Sequence, residues 1–310
     1  MELKGVSIKI LGRGSSGVVH LVQTIAPVRQ FYAVKSAYED VSFSLVKEQQ
    51  ILQQFIGCPN IIRCFGAFTS VQRDQRKVFN LFLEYASEGS LLDLMKEYGG
   101  KIPERDVKCY ARMILEGLVH IHKKGYIHSD LKPGNILVFP PQDGIGLDTL
   151  KIADFGSVKQ YGVKDTNIWE YGFRGTAIYM SPESIIGEIT CQLDVWSFGC
   201  IIVEMITGKL PWTFRNLKDL RDKLLSGETP NIPENISSMG KNFLKKCFAR
   251  DPNQRWTARM LLSHPYLRQR ISHFPVERGF PEYNSCLSSK FFEENKLLES
   301  PKSFFSYNLF

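Results

Sequence analysis

Residues 126–139 constrain the fold most strongly, because they place a short polar segment between two apolar runs. Asp130, Lys132 and Asn135 lie in the polar segment, where Pro133-Gly134 prevents a helix or strand from continuing. We therefore expect a loop whose two ends are buried and whose acid, base and amide converge. A loop held in this way is suited to a preorganised catalytic site.

Length and composition indicate a globular protein with one large domain or two lobes. The chain has 310 residues, of which 43% are hydrophobic and 23% are charged. A net charge of +7 could favour nucleic-acid or phosphate partners, but the basic residues are scattered without a long run. We therefore expect no nucleic-acid partner.

The cysteines and the apolar runs predict an intracellular protein. Seven scattered cysteines lack metal-binding spacing, which indicates reduced thiols. The amino-terminal residues contain no apolar signal region, and the most apolar run, 195–206, is too short to span a bilayer. We expect a soluble protein of the cytoplasm, with the nucleus as a second compartment.

Apolar and polar residues alternate near the start of the chain, which predicts strands over residues 6–36. Gly12, Gly14 and Gly17 form a G-x-G-x-x-G turn, whose backbone N–H groups can approach a phosphate closely. Dinucleotide-binding folds use the same spacing, but they begin a helix where this chain continues with β-forming residues. Taken alone, the segment is equally compatible with a simple glycine hairpin.

Lys35 lies at the end of an apolar strand, where its ammonium requires an anionic partner. The helix predicted over 42–55 carries Glu48. Glu48 alone is more typical of a solvated surface charge; the alternative is that it pairs with Lys35. Residues 61–68 and 78–85 then predict a hairpin.

The remaining pattern is mainly helical. Ser90 can cap a helix over 91–98 with Asp93 three residues later, and Asp154 follows a short strand over 150–153. The segment 157–183 lacks periodicity and is expected to be mobile. Helices are predicted over 104–124, 193–206, 216–225, 238–249 and 257–263, whereas 272–310 is aperiodic and expected to be partly disordered.

In this order the segments resemble the protein-kinase signature set over residues 6–270. The residues that carry the resemblance are Gly12-x-Gly14-x-x-Gly17-x-Val19, Ala33-Val34-Lys35, Glu48, His128-x-Asp130-Leu131-Lys132-x-x-Asn135, Asp154-Phe155-Gly156 and Ser181-Pro182-Glu183. Gly175-Thr176-x-x-Tyr179-Met180, Asp194-Val195-Trp196-Ser197-Phe198-Gly199-Cys200 and Glu204-Met205-x-Thr207-Gly208-Lys209-x-Pro211-Trp212 are similar to plant MEKK-like MAP kinase kinase kinases.

The resemblance implies an α+β, bilobal kinase domain over residues 1–270. A small five-stranded antiparallel β-lobe with one helix would occupy about 1–86, and a larger, mainly helical lobe about 87–270. Residues 271–310 would form a tail that could dock partners. The implied activity is ATP-dependent phosphorylation of a protein serine or threonine, with a MAP kinase kinase as substrate.

The resemblance also implies a role for each catalytic residue. Asp130 would accept the proton of the substrate hydroxyl, and Lys132 would lie by the γ-phosphate. Lys35, held by Glu48, would bind the α- and β-phosphates. Asn135 and Asp154 would hold Mg²⁺, which bridges the phosphate oxygens.

The implied nucleotide pocket combines the glycine loop with apolar residues from both lobes. Adenine would bond to the backbone of Glu84 and Ala86, with Leu83 as gatekeeper. An apolar set aligning the lobes would comprise Leu52, Cys64, His128 and Phe155. The full cofactor-binding set is Leu11, Gly12, Gly14, Gly17, Val19, Ala33, Lys35, Leu83, Glu84, Ala86 and Leu137.

Several other residues of the pattern are expected to be structural. Thr176 could be a phosphorylation switch, but a threonine in this motif more often forms a hydrogen bond near Asp130 and Lys132. Asp194 should bond to catalytic-loop backbone, and Glu183 should pair with Arg255. Trp196 and Trp212 should lie in the core.

Ser129 is the main departure from the family pattern, which places arginine before the catalytic aspartate. Serine cannot pair with a phosphorylated activation-segment residue, for which Thr166 is the candidate, so we predict that activity depends weakly on such phosphorylation. Lys159 or Arg174 could supply the missing cation instead.

Two competing functions follow from the same sequence. A pseudokinase scaffold would bind nucleotide and partners without turnover, but each of the required residue types is present. A tyrosine kinase is disfavoured by Lys132 and Thr176.

Overall fold

The small lobe is an antiparallel sheet with one helix packed against it. The computed structural model describes residues 2–14, 16–26, 29–72, 74–141, 144–162, 177–268 and 304–308. The strands of this lobe are β1 (Glu2–Gly14), β2 (Gly17–Ala26), β3 (Phe31–Tyr38), β4 (Cys64–Val71) and β5 (Lys77–Glu84). Helix α1 (Phe43–Leu52) continues into a 3₁₀ turn, Gln53–Phe55.

The five strands run in the order β1-β2-β3-β5-β4, so the β4–β5 hairpin folds back against β3. In the β3–β5 register, Ala33 lies opposite Leu83. Val34, the next residue, packs in a separate cluster on the other face. This alternation is the period-two pattern that the sequence predicted.

The large lobe is mainly helical, as predicted. Its helices are α2 (Leu91–Glu97), α3 (Glu104–Lys123), α4 (Pro182–Ile185), α5 (Gln192–Thr207), α6 (Leu217–Ser226), α7 (Ser238–Cys247) and α8 (Ala258–Leu262). Its short strands are β6 (Tyr126–Ile127), β7 (Ile136–Phe139), β8 (Thr149–Ile152) and β9 (Lys159–Gln160). β7 pairs with β8 and β6 with β9, so two ribbons flank the loop at 128–135.

Helix α5 is the centre of the large lobe because its sequence is apolar on all sides. Trp196, Phe198 and Ile201 have no exposed surface. Trp212 is also buried and stacks on Trp196 with ring centroids 6.5 Å apart. The expectation that both tryptophans belong to the core is confirmed.

Backbone hydrogen bonds join the two lobes behind the connecting segment 84–89. Ile152 in β8 receives a bond at its carbonyl from Ile62 and donates to the Asn60 carbonyl, each at 2.9 Å. Gly117 on α3 permits this approach, since a Cβ there would lie 2.8 Å from the Asn60 oxygen. The loop after α1 is thereby fixed to the large lobe.

A sixth strand, β10 (Phe304–Asn308), extends the small-lobe sheet at its β1 edge. It pairs antiparallel with β1, with Glu2 opposite Asn308 and Val6 opposite Phe304. The sequence placed these residues in an aperiodic tail, so this strand is an addition to the five that were predicted.

Two sequence-based expectations concern membranes and thiols. Among the helices in the described ranges, we find none with the length and apolarity required to cross a membrane. The six cysteines in those ranges are free thiols, and three of them, Cys64, Cys200 and Cys247, are buried.

Candidate active site

The loop between β6 and β7 brings its polar residues together as predicted. Lys132 Nζ lies 2.8 Å from Asp130 Oδ2. Asn135 Nδ2 donates to the Asp130 carbonyl at 2.8 Å and to Asp130 Oδ2 at 3.1 Å. The Asp130 carboxylate is therefore oriented by two neighbours, while 14% of its side chain remains exposed.

Asp194 of α5 holds the start of this loop. Its carboxylate accepts the backbone N–H of His128 at 2.8 Å and that of Ser129 at 2.9 Å. His122, in the last turn of α3, contributes a third contact at 2.8 Å. Burial alone would raise the pKa of Asp194, but the hydrogen bond and charge of His122 and the loop contacts outweigh it and lower the pKa. The structural role expected for Asp194 is confirmed.

The backbone of the candidate site adopts an unusual conformation at two residues. Positive φ occurs at three non-glycine residues of the described chain: Gln75, Ser129 and Asp154, with φ of 65°, 65° and 63°. L-residues rarely adopt this left-handed region, because Cβ then crowds the following carbonyl. Two of the three lie in the site, where surrounding bonds maintain a conformation that costs about 1–3 kcal/mol.

Lys35, Glu48 and Asp154 form a compact charged cluster between the lobes. Lys35 Nζ lies 2.7 Å from Glu48 Oε2 and 2.8 Å from Asp154 Oδ1. Glu48 also accepts the Phe155 backbone N–H at 3.0 Å. Its side chain is 1% exposed, so Glu48 is a buried partner of Lys35 and not a surface charge.

Electrostatics in this cluster favour the charged forms of Lys35 and Asp154. Burial lowers the pKa of Lys35, but the charges of Glu48 and Asp154 outweigh that effect, and the pKa is raised. Burial would raise the pKa of Asp154, but the Lys35 ammonium outweighs it and the pKa is lowered. Both groups are therefore ionised at neutral pH.

The glycine loop between β1 and β2 lies above this cluster. Ser16 Oγ is 3.1 Å from the position that a Cβ would occupy at Gly156. A Cβ at Gly12 or Gly14 would meet no described atom within 4 Å, so these positions leave their backbone accessible to a ligand. Gly17 has a different role: its φ is +130°, and a Cβ would lie 2.4 Å from the Ser36 carbonyl.

The predicted adenine slot lies between the small-lobe sheet and β7. Ala33 and Leu83 are buried, while Val19, Ala86 and Leu137 are half-buried and pack against the same core cluster. Leu11 on β1 is 39% exposed at the outer end. A bridge between Ser90 and Leu137, together with a bond from Val138 N–H to the Gly89 carbonyl at 2.9 Å, places the segment after Glu84 beside the floor of the slot.

Asn135 and Asp154 carry oxygen atoms suited to a magnesium ion. The Asn135 amide nitrogen bonds to Asp130, which leaves its carbonyl oxygen as the acceptor for a ligand. Asp154 contributes a partly exposed carboxylate of lowered pKa. Carboxylate and amide oxygens are the ligands that Mg²⁺ prefers, so these donors fit the ion.

The apolar set expected to align the lobes is continuous in the core. Leu52, Cys64 and Phe155 are buried in one cluster, and the His128 and Phe155 rings lie 5.3 Å apart. The His128 ring is held by a 3.0 Å contact between Nε2 and the Ala153 carbonyl. With Glu48 bonded to Phe155, the arrangement places α1 and the segment 154–156 in contact with the catalytic loop.

Arg255 and Glu183 form the buried ion pair that the sequence predicted. Arg255 donates to both carboxylate oxygens, at 2.5 and 3.1 Å, and also to the Gln192 carbonyl at 2.9 Å. Its guanidinium lies 4.9 Å from the Trp196 ring. The pair anchors α4 to the large-lobe core.

Three predictions fall outside the described residues. The switch or structural role of Thr176, the activation-segment residue Thr166 and the cation of Arg174 all lie within 163–176. Lys159 is described, at the start of β9. Whether a cation compensates for Ser129 therefore stays a prediction.

The structure adds contacts that sequence reasoning missed. His122 bonds to Asp194, Lys47 Nζ donates to the Val158 carbonyl at 2.5 Å, and Lys151 pairs with Glu84 at 2.6 Å. Glu48 had a usable signal, since its helical spacing from Leu45 and Leu52 places it on the buried face. The partners of His122, Lys47 and Lys151 lie far away in sequence, so no local pattern could identify them.

Comparison with known proteins gives consistent matches. The family model for the protein kinase domain matches residues 6–267. Mitogen-activated protein kinase kinase kinase 20 of Arabidopsis thaliana is 38% identical over 283 residues, which cover 89% of this chain and 78% of the relative. Mitogen-activated protein kinase kinase kinase 17 of the same plant is 35% identical over 274 residues, which cover 86% of this chain and 70% of the relative. Mitogen-activated protein kinase kinase kinase 18, also from this plant, is 35% identical over 269 residues, which cover 84% of this chain and 76% of the relative.

Proposed function

The chain belongs to the protein kinase family, and from this premise we propose that it is a MAP kinase kinase kinase. It transfers the γ-phosphoryl group of ATP to serine or threonine residues of MAP kinase kinases. The observation that carries the proposal is the assembled cluster of Lys35, Glu48 and Asp154 beside Asp130 and Asn135. The names of the Arabidopsis relatives support the substrate class.

The catalytic step follows from the position of the Asp130 carboxylate. With its orientation set by Lys132 and Asn135, Asp130 accepts the proton of the substrate hydroxyl as that oxygen attacks the γ-phosphorus. The bond from the γ-phosphorus to the bridging oxygen breaks, and ADP leaves with that oxygen. Lys132 then faces the negative charge of the transferring phosphoryl group. Lys35 binds the α- and β-phosphates, and its two carboxylate neighbours keep it extended toward them.

Asn135 and Asp154 would hold Mg²⁺, which when bound neutralises charge on the phosphate oxygens. Lys35 contacts Asp154 directly, and the Asn135 amide contacts Asp130, so both ligands are oriented by other site residues. The glycine loop covers the phosphates through accessible backbone at Gly12 and Gly14.

The proposal also covers the cellular compartment and the partners of the protein. We propose that it acts in the cytoplasm and in the nucleus, and the free cysteines in the described ranges support a reducing compartment of this kind. We also propose that the tail, residues 271–310, contributes docking contacts for partners; its described part, residues 304–308, extends the small-lobe sheet at β1.

A phosphotransfer assay on a panel of catalytically inactive MAP kinase kinases tests the proposed function. The wild-type chain with ATP and Mg²⁺ should phosphorylate serine or threonine on at least one of them. Asp130→Asn should lower turnover by about 10²–10⁴-fold while nucleotide binding persists. Asp40→Asn, a matched change at an exposed aspartate on the small lobe, should leave turnover unchanged.

Two results would contradict the proposal. Equal signals from wild type and Asp130→Asn would identify a contaminating kinase and revive the nucleotide-binding scaffold. Phosphotyrosine as the main product would refute the serine/threonine assignment.

A further inference from the structure

An ion pair between the lobes lies beside the nucleotide slot but outside the groups that handle phosphate. Glu84 is the last residue of β5, and Lys151 lies in β8. Lys151 Nζ is 2.6 Å from Glu84 Oε1, with side chains only 17% and 25% exposed. Because water reaches this pair poorly, its attraction is screened less than that of an exposed surface pair.

Glu84 is fixed by more than the ammonium. Its second carboxylate oxygen accepts the backbone N–H of Arg63 at 3.3 Å. Its own backbone N–H donates to the Arg63 carbonyl at 2.9 Å. The first residue of the connecting segment is thus held through its side chain and its main chain.

Lys151 connects this residue to the opposite wall of the slot. In the β7–β8 register, Lys151 lies directly opposite Leu137, the floor residue. The ammonium also lies 4.5 Å from the Phe139 ring, a cation–π contact on the same strand pair. The side chain therefore has a single well-supported position on the floor.

The roof belongs to the same sheet as Glu84. Ala33 lies opposite Leu83, and Tyr32 lies opposite Glu84, on adjacent strands. A change in the separation of Glu84 and Lys151 would therefore change the separation of Ala33 from Leu137. Stacking on a flat ring loses dispersion energy quickly as the gap widens.

We propose that Lys151 is a positioning residue for nucleotide binding, because its ion pair with Glu84 sets the separation between the roof and floor of the adenine slot. The inference rests on the proposed function, which supplies the nucleotide. Lys151 acts through Glu84 and touches neither the phosphates nor the substrate hydroxyl.

The test measures nucleotide affinity directly, by titrating the full chain with ADP and with a non-hydrolysable ATP analogue in the presence of Mg²⁺. Lys151→Met and Glu84→Gln should each raise Kd by about fivefold, the loss expected for one shielded charged contact. The double variant should be no weaker than either single variant, because both remove the same contact. Lys151→Arg should restore affinity to within about twofold.

Kinetics and a matched control separate positioning from general stability. In Lys151→Met the KM for ATP should rise in parallel with Kd, while kcat and the KM for the protein substrate stay unchanged. Lys223 on α6 forms an ion pair with Glu228, two residues beyond the end of that helix, so Lys223→Met removes an ion pair outside the slot and should change none of these values.

Several results would overturn the inference. Kd values within about twofold of wild type in both single variants would show that the pair does not set the slot. Additive losses in the double variant, or a parallel fall of kcat and Tm that Lys151→Arg does not rescue, would reduce Lys151 to a structural role. A wild-type chain that binds nucleotide without phosphotransfer would refute the proposed function, yet the Kd series would still decide the role of Lys151.

Discussion

Replacing Asp194 with asparagine tests how the catalytic loop is held. The carboxylate has no exposed surface and accepts three contacts of 2.8–2.9 Å, two from loop backbone and one from His122. Asparagine keeps one acceptor oxygen. If its NH₂ group takes the Oδ2 position, it can pair with His122 through the other ring tautomer, but it then faces the His128 N–H. If the NH₂ group takes the Oδ1 position, it faces the Ser129 N–H.

The loss of one hydrogen bond to a charged acceptor, and the weakening of a second, should cost about 2–4 kcal/mol. For a chain of this size each kcal/mol lowers Tm by about 2–4 °C, so Asp194→Asn should lower Tm by about 5–15 °C. At a temperature where the variant is still folded, kcat should fall by at least about tenfold, because Asp130 follows the loosened residues.

Thermal unfolding and initial-rate kinetics on the same preparations measure both effects. Asp251→Asn, at an exposed aspartate that accepts one local bond from Asn253, is the control. A Tm within about 2 °C of wild type together with unchanged kcat would refute the account.

The pH dependence of stability provides a second test of the contacts of Asp194. Since the pKa of Asp194 is lowered below its ordinary value of 3.8 in the folded chain, its stabilisation is present above that value and is lost as pH falls. The difference in unfolding free energy between wild type and Asp194→Asn should shrink as pH falls through the ordinary value of 3.8 and on through the lowered pKa of the folded chain. A constant difference would exclude Asp194 ionisation as its source.

Three further predictions concern other contacts. Arg255→Met leaves Glu183 buried without a partner and should lower the free energy of unfolding by about 3–5 kcal/mol, and adding Glu183→Gln should recover part of it in denaturant titrations. Gly199→Ala should cost about 1–3 kcal/mol in the same assay, because the new Cβ would lie 2.7 Å from the Phe248 ring; an unchanged midpoint would contradict that packing. Thr166→Ala and phosphatase treatment should each reduce turnover by less than about tenfold, since the serine before the catalytic aspartate carries no charge; a hundredfold fall would reject this expectation.

The fold and most of the site could be predicted because the decisive signals are local. The glycine spacing, the strand ending in Lys35 and the clamped loop around Asp130 each depend on a few consecutive residues. Binary periodicity gave every helix except the four-residue α4 to within a few residues of its observed ends, as at α3, predicted over 104–124 and found at Glu104–Lys123. These elements needed no knowledge of tertiary contacts.

Contacts between distant segments could not be predicted in the same way. The pairing of Lys151 with Glu84 joins residues from two lobes, and neither residue has an unusual local context. In the sequence, His122 is likewise only one of several polar residues in the last turn of a helix, although in the structure it bonds to Asp194. Whether such side chains are partners or surface charges depends on how the elements pack, which periodicity does not specify.

The pairing of β10 with β1 joins residues 2–6 to residues 304–308, a closure of roughly 300 residues. Closing a loop of that size costs about 3 kcal/mol more than closing one of ten residues, because the entropy of closure grows with the logarithm of length. Each backbone hydrogen bond gives a modest net gain, so the five residue pairs exceed that cost by only a small margin. Both lobes are complete without the sixth strand, so we expect it to join late during folding and to separate early.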